Sequence, residues 1–382
     1  MLLVYKHKVP AIRENILNVP NLRFPGFEGE WKECRNEDLG KVITGNTPPT
    51  AETRYYENGD KLWASPADLS GDKYISRTQT RLTEEGFSKT RVVPQGTTLV
   101  TCIGSTIGKM GMASQEMSTN QQINSVIPYE STDGQYLYYA IQSQFPRYVK
   151  SIAVQAVPII SKGSFEKLKN YRPNIDEQRR IGSFLDLLDR RITIQNKVIE
   201  KYESLIKALA YETIGNYTPN TLLSECVRCS SSTLKESNLA EEGAVPAYGA
   251  AGISGFTDAA LVKGDSILIT KDGSGVGTLR YVYGPHSFVG TLNSMTPRDG
   301  FYLPYIYYAL QNVCFESYRS GQAIPHIYFK DYGKETLYCP SFNDQKRLVK
   351  GLEIIEAKIG IERTILQNLQ SLKTFLLSAM FI

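Results

Sequence analysis

Two glycine-rich turns hold the residues best suited to chemistry. Asp272-Gly273-Ser274-Gly275-Val276-Gly277 follows the apolar run Ser266-Ile267-Leu268-Ile269-Thr270. A glycine turn after a strand resembles the cradle for S-adenosylmethionine or a dinucleotide. Its counterpart in the first half, Ile103-Gly104-Ser105-Thr106-Ile107-Gly108, lacks both the acidic residue and the middle glycine. A cofactor turn present in only one of two equivalent places reads better as a tight loop. A P-loop is excluded, because three residues rather than four separate Gly104 from Gly108 and Met110 stands where Ser or Thr should bind magnesium. Asn46-Thr47-Pro48-Pro49 is not the Asn-Pro-Pro-Tyr pattern that grips a flipped base. His7, His286 and His326 are the only histidines, and no nucleophile or acid stands beside them in a local motif. Cys226 and Cys229 form a lone C-x-x-C with no second pair at ligand spacing. The expectation is therefore no catalytic, cofactor-binding or metal-binding residue in this chain.

The turns need a scaffold, and 382 residues suit two domains plus connecting elements. Six irregularly spaced cysteines fit reduced thiols in a cytoplasm. No run of about 20 apolar residues is present to span a membrane. A net charge of +4 neither demands nor opposes a nucleic-acid partner.

The strongest organising signal is a long helix from about Asp176 to Thr213, copied from about Asn343 to Phe381. Ile181, Leu185, Leu188, Ile192, Gln195, Ile199, Tyr202, Ile206 and Leu209 alternate steps of four and three, as a coiled-coil seam does. Adding 167 gives Leu348, Leu352, Ile355, Ile359, Glu362, Leu366, Leu369, Lys373 and Leu376. Both copies are polar at the same central position. Pro173 before Asp176 and Pro340 before Asn343 set a breaker three residues ahead of an N-cap former. A helix of about 38 residues spans roughly 57 Å, and the seam needs a partner, of which its own copy is the obvious one.

The rest of the chain repeats at an offset of 169. Val93 to Gly108 matches Val262 to Gly277, Asn124-Ser125 matches Asn293-Ser294, and Tyr136 to Gln142 matches Tyr305 to Gln311. The offset then drops to 167, so that Gln155-Ala156-Val157-Pro158 pairs with Gln322-Ala323-Ile324-Pro325. One supersecondary plan is used twice. The expected division is a leader over 1–19, a domain over 20–173, a long helix over 174–215, a second domain over 216–340 and a second long helix over 341–382. Between Thr47 and Arg91, and between Ser230 and Ala260, the copies do not align. Unlike loops on a repeated scaffold suit two different targets held at a fixed separation, and drift in unconstrained loops gives the same pattern. Trp63, Tyr74 and Phe87 among Lys61, Lys73, Arg77, Arg81, Lys89 and Arg91 fit either a binding face or a solvated surface.

Taken in order, these features resemble the specificity subunits of type I restriction-modification systems. The matching residues are Pro20 to Phe27, the strand and Gly-Ser loops at Gly104-Ser105 and Gly273-Ser274, Tyr248 to Gly252, and the Pro-x-x-x-x-Gln segments Pro173 to Gln178 and Pro340 to Gln345. Residues 1–19 precede the usual opening. The resemblance implies an α+β fold with two pseudo-repeated target-recognition domains separated by two long helices that form an antiparallel coiled coil. Each domain would read one half of a split double-stranded DNA sequence. Two methyltransferase subunits would dock on the helices and bring S-adenosylmethionine, and restriction/translocase subunits would bring ATP and magnesium. The chain itself would be non-catalytic. A stand-alone DNA methyltransferase and a protein-binding coiled-coil scaffold are the alternatives.

Readout of base edges uses Arg, Lys, Asn, Gln, Ser and Thr on loops held by a rigid body. Candidates in the first domain are Thr47, Ser105, Thr106, Lys109, Asn120 and Gln121. In the second they are Tyr248, Lys271, Ser274, Arg319, Gln322 and Lys330. The apolar tail Phe375 to Ile382 must be covered, and packing on the first domain is the expected cover.

Overall fold

The computed structural model describes residues 4–5, 18–152, 159–321 and 324–382. The leader therefore lies outside the described residues, apart from Val4–Tyr5, which pair with Leu22–Arg23, and residues 18–19. The chain divides into two compact units, residues 1–196 with 365–382 and residues 197–364. Both boundaries fall inside the long helices.

In the first unit five strands build the main sheet: β1 Gly40–Thr44, β2 Tyr74–Ile75, β3 Thr98–Thr101, β4 Met110–Ala113 and β5 Ile123–Pro128, in the order β1-β5-β3-β4-β2. Strand β2 runs parallel to β4, and the other pairs are antiparallel. Helix α1, Gly134–Ile152, supplies Tyr136, Leu137, Tyr139, Ala140 and Ile141 to the core, all wholly buried. That apolar face is what its helical spacing requires. The first long helix, α2, covers Ile175–Ala210.

The second unit repeats this plan with one strand fewer. Strands β6 Val227–Ser231, β7 Ser266–Thr270, β8 Leu279–Val282 and β9 Leu292–Pro297 lie in the order β6-β9-β7-β8. Helix α3, Leu303–Leu310, buries Tyr305, Ile306 and Tyr308. The second long helix, α4, covers Phe342–Ala379. Registers match across the repeat: Thr44 stands opposite Asn124 and Ser231 opposite Asn293, with hydroxyls donating to the amide oxygens at 2.7 and 2.8 Å. A smaller sheet stands beside each, formed by Thr80–Leu82, Lys61–Ala64, Met117–Thr119 and Val92–Val93 in one unit and by Gly252–Thr257, Val245–Gly249 and Ser287–Phe288 in the other.

The long helices begin two residues earlier than the sequence suggests. Asn174 and Ser341, not Asp176 and Asn343, cap them: Asn174 Oδ1 accepts from Glu177 N at 2.9 Å and Ser341 Oγ from Asp344 N at 3.3 Å. Each cap directly follows its proline, so the breaker and the cap share one turn. Gln178 and Gln345 explain their place in the repeated motif. Gln178 Nε2 donates to Pro173 O at 3.0 Å while its Oε1 accepts from Asp133 N; Gln345 does the same with Pro340 O at 2.9 Å and Tyr302 N. Both side chains are almost fully buried and tie a long helix to the start of α1 or α3.

No seam position is exposed. Ile181, Leu185, Ile199, Leu352 and Ile359 are buried, and Leu188, Ile192, Leu348, Ile355 and Leu366 are half-buried. Within the first unit Lys373 reaches Asp189 at 2.6 Å, and within the second Arg363 reaches Glu203 at 2.6 Å. The apolar tail packs on the first unit as expected. Phe381 stacks on Tyr136 and meets Trp31 edge-on, while Leu376, Ala379 and Met380 join the same core. The C-x-x-C cysteines diverge, Cys226 toward Cys339 (3.6 Å) and Cys229 toward the Tyr332 hydroxyl (3.9 Å). No helix among the described residues is long and apolar enough to cross a membrane.

Candidate nucleic-acid interface

The two glycine turns have one geometry. Gly108 N donates to Thr101 O and Gly277 N to Thr270 O, each at 2.9 Å; Lys109 N donates to Thr106 O and Thr278 N to Gly275 O, each at 3.1 Å. Gly104 and Gly108 have φ of +90° and +91°, Gly273 and Gly277 of +96° and +84°. Only glycine takes these angles without strain. The glycines thus shape a tight turn in both units, and Ser105 and Ser274 stand exposed at its tip.

In the first unit, four segments, the turn's own among them, come together. Gly45 fits against the backbone at Thr119 and Asn120 so closely that a Cβ would lie 2.2 Å from Thr119 O. This brings Thr47 to Gln121, whose side chains hydrogen-bond. Asn46 clamps a third segment, donating to Lys89 O at 2.9 Å and accepting from Arg91 N at 2.8 Å. Gln122 O accepts from Cys102 N at 2.8 Å, joining the fourth. Exposed Gln121, Lys89, Arg91 and Ser105 and half-buried Thr47, Thr106 and Lys109 therefore share one region. Asn120 differs: it is buried and its side chain closes its own turn on Gln122, so it shapes the loop rather than facing outward. Asn46 is absent from the sequence candidates, and Lys89 and Arg91 enter there only in the stretch that fits either a binding face or a solvated surface. The signal for them was the Gly-Asn-Thr loop itself, since a glycine before Asn marks a close backbone approach. Trp63 and Phe87 are buried in the core and Lys73 lies inside, whereas Tyr74 is half-buried.

In the second unit the turn is joined by residues 325–327. Gly273 N donates to Pro325 O and Ile327 N to Lys271 O, each at 2.9 Å, while His326 Nδ1 and Asp272 Oδ1 lie 2.6 Å apart. His326, which has no partner in a local sequence motif, finds Asp272 in this cluster. Lys271 is half-buried beside Asp272, and Lys330 is exposed with its ammonium 5.3 Å from the Tyr328 ring centroid. Exposed Arg319 pairs with Glu316 at 2.6 Å. Tyr248 is half-buried, edge-on to His286, with the Arg280 guanidinium over its ring, which makes it a packing residue of the smaller sheet. Gln322 lies outside the described residues.

Such loops can offer hydroxyls, amides and cations to base edges and phosphates. Comparison with known proteins agrees with that chemistry. The family model for the type I restriction modification DNA specificity domain matches residues 28–204 and 227–371. The MjaIX specificity subunit of Methanocaldococcus jannaschii is 29% identical over 194 residues, covering 49% of this chain and 44% of that protein. The EcoR124I/EcoR124II specificity subunit of Escherichia coli is 29% identical over 215 residues, covering 51% and 52%. The chain thus spans about half the length of the curated relatives it matches. In fold it is similar to the S subunit of a type I restriction-modification system from M. genitalium, with a TM-score of 0.63 and 21% identity over 95% of this chain and 99% of that one.

Proposed function

This chain belongs to the type I restriction modification DNA specificity family, and from that premise we propose that it reads DNA for partner subunits that methylate adenine or cleave. Each unit reads one half of a bipartite duplex target. The observation that supports this most is the repeated turn: one backbone geometry presents Ser105 and Thr106 in one unit and Lys271, Asp272 and Ser274 in the other. A scaffold kept constant under changed side chains is what two unlike half-sites require. The long helices are the spacer. Their contacts, Asp189 with Lys373 and Glu203 with Arg363, run in opposite senses along the two sequences, as antiparallel pairing demands.

Two methyltransferase subunits dock on those helices, and S-adenosylmethionine, ATP and magnesium belong to the partners. The helices carry exposed apolar residues in matched places: Leu187 and Ile354, Ile194 and Ile361, Leu205 and Leu372 stand 167 apart in sequence. Water-exposed apolar positions repeated in register suit two copies of one partner. The chain's own part is non-catalytic. The test is to map methylated adenines in DNA modified by the reconstituted complex, then repeat with Thr47→Ala plus Gln121→Ala. The expected result is a bipartite site in which one half alone relaxes. Relaxation of both halves, or methylation by this chain without partners, overturns the reading.

A further inference from the structure

The repeat places one feature in the first unit that the second lacks. In the first, Lys73 precedes β2 and drops into a buried polar nest. Its ammonium lies 2.8 Å from Asp186 Oδ1 and 3.0 Å from the Tyr139 hydroxyl, bonds Gln135, and sits 4.9 and 4.3 Å from the ring centroids of Tyr138 and Tyr139. Its carbonyl accepts from Met112 N on β4 at 2.7 Å, so the lysine and the edge strand arrive together.

The second unit keeps four lining positions of that nest without the lysine, and Pro304 stands where Gln135 does. Tyr307, Tyr308, Glu353 and Glu356 occupy the places of Tyr138, Tyr139, Asp186 and Asp189. They line a cavity of about 640 Å³ together with Tyr281 and Tyr302. No strand covers the outer edge of β8 among the described residues. Tyr302 donates to Glu353 at 2.7 Å, whereas Glu356 is half-buried, accepts no hydrogen bond among the described residues, and is held above the usual carboxylate range by desolvation. No cation among the described residues forms an ion pair with Glu353 or Glu356. Lys263 lines the cavity, Lys346 lies over Tyr302 and Phe342, and Arg363 acts on Glu356 through its field alone.

The geometry points to a receptor for a lysine borne on an extended segment of a partner protein, which adds to the open edge of β8 as β2 adds to β4 and sets its ammonium among Tyr307, Tyr308, Glu353 and Glu356. Strand addition supplies backbone hydrogen bonds, and the aromatic and acidic walls select a cation. The inference concerns a partner of the second unit and is independent of which bases the loops read.

The probe is a fluorescent peptide copying residues 71–77, Gly-Asp-Lys-Tyr-Ile-Ser-Arg, titrated onto the full chain by anisotropy. Saturable binding is expected, weakened at least about tenfold by norleucine in place of lysine and by Glu353→Gln with Glu356→Gln. Glu356→Lys, which fills the nest from within, should abolish binding. Amides of Leu279–Val282 should gain protection from hydrogen exchange when the peptide is bound. No saturable binding, indifference to the norleucine exchange, or unprotected β8 amides overturns the proposal. Equal affinity for n-butylamine overturns it too, since the site would then take a soluble amine without a strand. If the glutamine variants fail to fold, the norleucine comparison on the unaltered chain still decides. DNA binding is not a readout, so failure here leaves the reading of the loops untouched.

Discussion

Where the first unit has Cys102, Ile103 and Ile159 behind its glycine turn, the second has Lys271, Asp272 and His326 in the same backbone pairing: Ile160 N meets Cys102 O at 2.8 Å and Ile327 N meets Lys271 O at 2.9 Å. The turn hydrogen bonds are the same, yet one wall is apolar and the other ionisable. A turn fixed by positive φ and strand register tolerates any side chain that does not need the backbone. The comparison therefore separates what builds the scaffold from what faces a ligand. The contrast around Lys73 teaches the converse. There two tyrosines and two carboxylates recur on α1 and α3 and on the long helices, while the cation, its strand and the amide of Gln135, replaced by Pro304, are missing.

The largest expected effect breaks the symmetry of the helix ends. Phe381→Ala should cost the first unit about 3–5 kcal/mol by opening a cavity beside Trp31 and Tyr136, and Ile214→Ala, its counterpart, should cost the second about 2–5 kcal/mol. Exchange-resolved unfolding should assign each loss to its own unit. Lys73→Met leaves Asp186 buried with only Tyr74 and Arg190 as partners, and should destabilise the first unit by about 3 kcal/mol. Gln178→Ala and Gln345→Ala each orphan a helix-start N–H, at about 1–3 kcal/mol apiece. Equal losses would confirm that the two residues do one job.

Acid sharpens the contrast at smaller scale. Burial alone would push Asp186 up, but hydrogen bonds from Lys73, Tyr74 and Arg190 hold it below the usual carboxylate value. Its stabilisation is thus present above the unfolded value near 3.8 and lost as pH falls through the lower folded value. Glu356 has the opposite sign. With its folded pKa raised above 4.5 by desolvation, the second unit loses stability as pH rises through that folded value. Lowering the pH toward 4.5 should favour the second unit while leaving the Asp186 contribution in place. Glu356→Gln should remove the second unit's response and gain less than about 1 kcal/mol at pH 7, since water still screens a half-buried group. Thermal melts from pH 4.5 to 7.5 check both signs.

The long helices and the repeat were legible because a heptad seam, a proline and a glutamine recur at one offset, and offsets survive where single motifs are weak. The caps were misplaced by two residues because Asp176 and Asn343 are as good N-cap formers as Asn174 and Ser341, and only the turn made with each proline decides. The loop candidates were found by residue type, but type cannot tell Gln121, which stays outside, from Asn120, which folds back on Gln122. His326 was missed since Asp272 stands more than fifty positions away in sequence, and β-pairing alone brings them together. Nor could composition tell Lys73 from its exposed neighbours Arg77 and Arg81, because burial of a lysine is set by the acids and rings waiting for it.

The tail that seats Phe381 against Trp31 bears on how the protein is made. Residues 365–382 leave the ribosome only after all of residues 197–364, so the half translated first is the half finished last. Until then a nascent chain carries an uncovered aromatic cleft, the kind of surface that chaperones hold. A premature stop near position 364 would strand the earlier half unfinished even though nearly all of its sequence had been written.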